Sequence, residues 1–124
     1  WIKDNVHGKN ILDVGPMGGG GSLFAHQALR SANPEANITA LDINIPEWFE
    51  KKIGSKGVKA SVYNMPLENE SFDCIFMGEI LEHLENPYKA IKEVSRVMKE
   101  GGRLYLTTPN TFTYQNIIRA LKNR

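Results

Sequence analysis

Apolar and polar positions along the chain fall into blocks that switch between two periods. Short, nearly continuous apolar runs at 10–14, 37–42, 58–62, 72–77 and 103–108 predict five strands, each bounded by Gly, Pro, Asn or Ser. The run at 72–77 is apolar throughout its second half, as a strand buried on both faces requires. Between the strands the spacing lengthens to three and four. Residues 22–32 predict a helix that Asn33-Pro34 terminates, and Pro46 at a first helical turn opens a short helix through Lys52. Gly54 and Gly57 bracket the turn into the third strand, and 63–71 reads as loop. Residues 78–84 read as one or two helical turns. Asn86-Pro87 then starts a longer helix to Lys99, with Ile91, Val94, Val97 and Met98 on one face, which Gly101-Gly102 stop. Pro109 ends the fifth strand, and 111–124 predicts a last helix with Ile117, Ile118 and Leu121 inward.

Strands alternating with helices at this spacing imply right-handed crossovers, a parallel sheet and helices on both of its faces. Ligands of such sheets bind at the carboxyl ends of the strands, where the strand order reverses. Function is therefore expected in the loops after Val14, Asp42, Val62, Met77 and Thr108.

Composition narrows the class. The chain has 124 residues, with 15 Lys and Arg against 14 Asp and Glu, a net charge of +1 with the histidines neutral. That is one domain's worth, 1–124, and 41% hydrophobic with 23% charged residues is globular rather than disordered or collagenous. The near-zero net charge removes the electrostatic case for a dedicated duplex-binding protein, so nucleic acid is not expected as a partner. Cys74 is the single cysteine, which allows no intrachain disulfide and no cysteine-built zinc site and fits a reducing, cytoplasmic setting. No apolar run approaches the roughly 20 residues of a membrane-spanning helix, so no membrane insertion is expected. The chain opens at Trp1 and closes inside a helical pattern, as a piece cut from a longer chain would.

The string ILDVGPMGGGGS, residues 11–22, puts five glycines within seven positions between a strand and a helix. Backbone without side chains there lets a ligand approach the helix N-terminus closely. It is not a phosphate-binding loop of the form GxxxxGK[ST], because Gly21 stands where the lysine is required. The GxGxxG fingerprint of dinucleotide binding fails as well, since Met17 occupies its second glycine. What remains is Asp13 two residues before Gly15, and Asp42 ending the next strand. An acid at that strand tip can accept hydrogen bonds from two ribose hydroxyls, so a nucleoside without phosphates fits best.

Over nearly all of its length the sequence resembles the class I S-adenosylmethionine-dependent methyltransferases, of the methyltransferase type 11 and quinone-pathway O-methyltransferase kind. LDVGPMGGG is similar to that family's first motif, ALDIN (40–44) to its second, and NMPLENESFDCIFMGEILEHLENP (64–87) to the stretch through the fourth strand. VSRVMKEGGRLYLTTPN (94–110) is similar to the family's next helix and its fifth strand. The resemblance implies a Rossmann-like three-layer α/β/α sandwich with a mostly parallel sheet, here cut to five strands of the family's seven. It implies S-adenosylmethionine as cofactor and methyl transfer to a small-molecule acceptor, with O-methylation of a quinone precursor, sugar or lipid-like substrate favoured. Carried over by position, Asp13, Gly15, Pro16, Met17 and Gly19 would shape the methionine end. Asp42 and Ile43 would bind the ribose, Asn64 and Met65 would lie near the adenine, and Gly78 and Glu79 would approach from the fourth strand. Two departures stand out: the family's GxGxG becomes Gly15-Pro16-Met17-Gly18-Gly19, and the acid that often precedes its Leu-Pro-Phe is replaced by Ser61, with Asn64 the nearest polar substitute.

Glu79, Glu82 and His83 stand at i, i+3 and i+4, so in a helix they would share one face. That set could hold a divalent cation such as Mg2+, or supply Glu79 and His83 as catalytic groups, or serve packing and capping alone. His7 and His26 are read as a surface and a helix-face residue without a role, and Cys74 as a small core residue. The rival functions are a cofactor-binding domain without catalysis or a fragment needing a partner, and another Rossmann nucleotide-binding module. An open edge on the fifth strand would call for a homodimer mate or another partner to cover it.

Overall fold

The computed structural model of the chain describes residues 1–18 and 22–109. Gly19 and the helix expected over 111–124 lie outside the described residues. Strands β1 (Asn10–Val14), β2 (Asn37–Asp42), β3 (Lys56–Lys59), β4 (Phe72–Gly78) and β5 (Met98–Thr107) form one sheet in the order β3-β2-β1-β4-β5. Every pairing in it is parallel. Helices α1 (Ile2–Asn5), α2 (Ser22–Ala32), α3 (Phe49–Ile53) and α4 (Pro87–Val97) connect or flank the strands, with one 3-10 turn at Leu81–His83. None of the described helices is long and apolar enough to cross a membrane.

Alternation of side chains along each strand splits the core in two. Leu12, Val14, Leu41, Ile75 and Met77 face Ala90, Val94 and Val97 of α4. Their neighbours Ile11, Ile38, Cys74 and Phe76 face the other way, against Leu29 of α2 and Val6. Both faces of the central strands are thus dry, which is why their sequence reads as continuous apolar runs rather than alternating ones. The amino end of the sheet is tied by Asp73, whose carboxylate accepts the N–H groups of Lys9 (3.0 Å) and Asn10 (3.1 Å) and pairs with Lys99 at 3.7 Å. The chain leaves β1 toward β2 but leaves β4 toward β5, so the strand order reverses between β1 and β4 and a crevice opens at their carboxyl ends.

Four expectations from the sequence shift. The third strand runs Lys56–Lys59 rather than 58–62, because its partner β2 ends at Asp42, whose carbonyl accepts the last ladder bond from Ala60 N–H (3.1 Å), and 61–64 then closes a turn, Asn64 N–H to Ser61 carbonyl. The helix expected over 46–52 begins only at Phe49. The long helix stops at Val97, and β5 starts at Met98, with a register shift against β4 that the left-handed Gly101 (φ 74) accommodates. Glu79 adopts φ 53, which breaks any helix through 78–84 and leaves only the 3-10 turn. Helix α1 was not legible in the pattern.

Candidate functional site

Between the carboxyl ends of the strands lies a cleft of about 1080 Å³. Ligand pockets run to roughly 300–1,000 Å³, so it has room for a nucleoside-sized cofactor together with an acceptor. Each strand end delivers part of the wall: Val14 and Gly15 from β1, Leu41 to Asn44 from β2, Gly78 to Ile80 from β4 and Thr107 from β5. Residues 60–63, released from the sheet after Lys59, make another wall, and His83 to Glu85 a third. Trp1 and Ile2 of the amino-terminal segment reach the cleft too, with the Trp1 indole edge-on to Tyr105 at 5.9 Å.

The glycine loop is held by its neighbours. Gly15 N–H donates to the Leu41 carbonyl at 2.8 Å, locking the tips of β1 and β2 together. Gly15 sits at φ 82, and a Cβ there would come within 2.7 Å of Ile80 Cδ1, so both backbone conformation and close packing demand glycine. Asp42 is buried at the end of β2, where Oδ2 accepts Met17 N–H (2.9 Å) and Oδ1 accepts Asn44 N–H (2.8 Å). A carboxylate offers about four lone-pair positions, so each oxygen keeps one for a ligand in the cleft. Asp42 therefore both fastens the glycine loop and faces the space it encloses.

The structure brings Gly15, Asp42, Ile43, Gly78, Glu79 and His83 together around the cleft. Asp13 is not on its wall: its Oδ2 lies 2.7 Å from Nδ1 of His26, behind the glycine loop. Burial pushes the Asp13 carboxyl up, the His26 hydrogen bond and charge pull it partly back, and the nearby Asp42 charge adds to the rise. Pro16 is buried and Met17 half-buried, contributing backbone rather than lining. Asn64 is exposed away from the cleft, and Met65 is buried in the core with its N–H given to Glu93. Ser61, Val62 and Tyr63 line the cleft, whereas that pair does not.

Glu79, Glu82 and His83 do not form a ligand set. With Glu79 outside the 3-10 turn, the one close approach among them is His83 Nε2 to Glu82 Oε1 at 3.9 Å. Among the described residues no three His, Cys, Asp or Glu side chains converge as a metal site. The expectation of Mg2+ rested on helical spacing that the left-handed Glu79 removes. Glu79 is itself informative: a non-glycine residue with φ 53 at a strand tip, its N–H bonded to the Thr107 carbonyl (2.9 Å), is a strained conformation of the kind that collects at functional sites.

Residues 12–106 match a family described as a methyltransferase domain. The ubiquinone biosynthesis O-methyltransferase of Dechloromonas aromatica is 32% identical over 125 residues, covering 89% of this chain and 49% of that protein. The enzyme of the same description from Pseudomonas putida is 33% identical over 119 residues, with the same coverage, 89% and 49%. The chain thus spans about half the length of these curated relatives. A solved SAM-dependent methyltransferase from Thermotoga maritima has the same fold, with a TM-score of 0.71 at 22% identity over 98% of this chain and 54% of that one.

Proposed function

We propose a function from one premise, that this chain belongs to the class I S-adenosylmethionine-dependent methyltransferase family. The cleft carries the cofactor and a small-molecule acceptor side by side, and the chain transfers a methyl group between them. The observation that carries this reading is Asp42, a buried carboxylate on the cleft wall with lone pairs left over after fastening the glycine loop. In this reading Asp42 takes the two ribose hydroxyls, and Ile43 with residues 61–63 flanks the nucleoside. The backbone of Gly15 to Met17 lies along the methionine end, and Gly78 and Glu79 face the transferring group.

S-adenosylmethionine supplies a methyl group on a sulfonium, already activated for in-line attack. The protein's part is then mostly alignment and exclusion of water, which can account for a large share of the rate. The cleft suits that task, with apolar Val14, Leu41, Val62, Phe76, Ile80 and Leu84 on its walls. For a hydroxyl acceptor, we assign proton removal to His83 of the cleft wall, supported by Glu82 Oε1 3.9 Å from its Nε2, which would balance the charge gained. The Dechloromonas and Pseudomonas relatives are O-methyltransferases, which supports a hydroxyl over an amine.

Transfer of labelled methyl from S-adenosylmethionine to a panel of phenols, catechols and amines tests this on the full chain. We expect methylation of a phenolic or catecholic hydroxyl, and a loss of about 10²-fold or more in His83→Ala, the usual scale of general acid–base catalysis. Transfer to amines alone, unaffected by His83→Ala, would contradict O-methylation while leaving the cofactor assignment standing.

A further inference from the structure

Behind the glycine loop three polar side chains from three different segments are buried together. His26 of α2 is fully buried, with Asp13 of β1 at 2% and Ser55, directly before β3, at 4% exposure. His26 Nδ1 lies 2.7 Å from Asp13 Oδ2, and Nε2 lies 2.9 Å from Ser55 Oγ. An ionised carboxylate only accepts, so Nδ1 carries a proton toward Asp13, and the Ser55 hydroxyl is free to donate to Nε2. Phe49 closes one side of the imidazole edge-on at 5.4 Å.

The positions of the three partners give the network its meaning. Asp13 is on the strand leading into the glycine loop, two residues before Gly15; His26 is on the helix leading out of it. Ser55 precedes the strand whose continuation, 60–63, forms a cleft wall. A loop rich in glycine cannot define its own shape, because it has few side chains to pack and a wide choice of backbone angles. Leu41 and Asp42 hold its first residues through Gly15 N–H and Met17 N–H, and the elements that flank it set where those residues stand. We propose that His26 is a positioning residue of the cofactor site, clamping β1, α2 and the start of β3 at fixed spacing so that Gly15 to Gly18 and the 60–63 wall are pre-set for the cofactor. This inference rests on the cofactor reading of the cleft. Preorganisation of this kind raises affinity by removing the ordering cost from the binding step.

Two near-isosteric substitutions separate positioning from filling. In His26→Asn the side-chain amide sits close to the place of Nδ1 and still donates to Asp13. In His26→Gln the amide reaches toward Ser55 and leaves the Asp13 carboxylate without its partner. Both are titrated with S-adenosylhomocysteine by calorimetry, well below their melting temperatures, beside Asp73→Ala, which loosens the opposite end of the sheet. We expect His26→Asn to bind within about threefold of wild type and His26→Gln about tenfold or more weaker, while Asp73→Ala lowers the melting temperature without changing affinity. Ser55→Ala, the mildest change, is expected to weaken binding about threefold and keeps the test decisive should His26→Gln not fold. Wild-type affinity in the folded His26 variants and in Ser55→Ala would overturn the proposal, as would equal losses in Asn and Gln that simply track melting temperature. A wild-type chain that does not bind S-adenosylhomocysteine would instead remove the cofactor reading itself, before any variant is compared.

Discussion

Two acid–base pairs in this protein join the same kinds of groups at nearly the same distance and end with opposite acidities. Asp13 and His26 meet at 2.7 Å inside the fold, whereas Glu93 and Arg96 meet at 2.9 Å nearer the surface, with side chains 19% and 32% exposed. Burial dominates the first, so the Asp13 pKa lies above its ordinary value despite its partner. Hydrogen bonds dominate the second: the Arg96 side chain and then the Met65 N–H hold Glu93 down to about 2, and the same bond raises Arg96. Each partner lowers its carboxyl's pKa; the net shift is downward where desolvation is small and upward where burial outweighs the partner. The two pairs also do different structural work. Arg96 gathers the Met65 and Leu67 carbonyls and Asn69 Oδ1 at 2.8–2.9 Å and so fixes the loop before β4, whereas His26 ties together the elements around the cleft.

The largest effect is expected from His26→Leu, which leaves a buried carboxylate and a buried hydroxyl without partners. Breaking such a pair costs about 3–5 kcal/mol, and urea unfolding should show it as a matching drop in midpoint. Arg96→Met should cost less, about 1–2 kcal/mol in the same measurement, because water can reach the groups it abandons. Acid titration of stability separates the pairs by sign. The folded-state pKa of Glu93 is depressed, so its contribution is complete above its ordinary 4.5 and is lost as the pH falls through about 2; Glu93→Gln should flatten that fall. The Asp13 pKa is raised above 3.8, so its contribution is complete below that value and lost as the pH rises through the folded-state pKa; Asp13→Asn should remove that decline. The smallest effect is at Cys74, a buried group with no ionic partner, whose thiol is pushed up to about 11 by burial first and the Asp73 charge second. An aromatic disulfide reagent at pH 8 should label it only as fast as the chain unfolds.

How much of this was legible in the sequence depends on the range of the interactions. A five-stranded parallel sheet needs only local alternation and the handedness rule, whereas its order, β3-β2-β1-β4-β5, depends on contacts that local patterns do not carry. Gly15 and Asp42 could be singled out because each announces itself locally, as a glycine and an acid at the end of an apolar run. His26 could not, since it owes its role to Asp13 and Ser55, 13 and 29 residues away, and a lone histidine in a helical pattern carries no mark of them. The 60–63 wall escaped for a different reason: the third strand stops where its partner β2 ends at Asp42, and the apolar pattern of one strand does not register where its neighbour stops. The reading of Glu79, Glu82 and His83 as one helical face failed on a single dihedral angle, the left-handed φ of Glu79, which spacing does not encode.

The central claim is that Asp42 holds a nucleoside cofactor in the cleft. Calorimetric titration of S-adenosylhomocysteine into the wild-type chain and Asp42→Ala tests it most directly. Saturable one-to-one binding that Asp42→Ala weakens at least about tenfold, or about 1.4 kcal/mol, is the predicted result. Equal affinity in a folded Asp42→Ala, or no binding by the wild type, would contradict it.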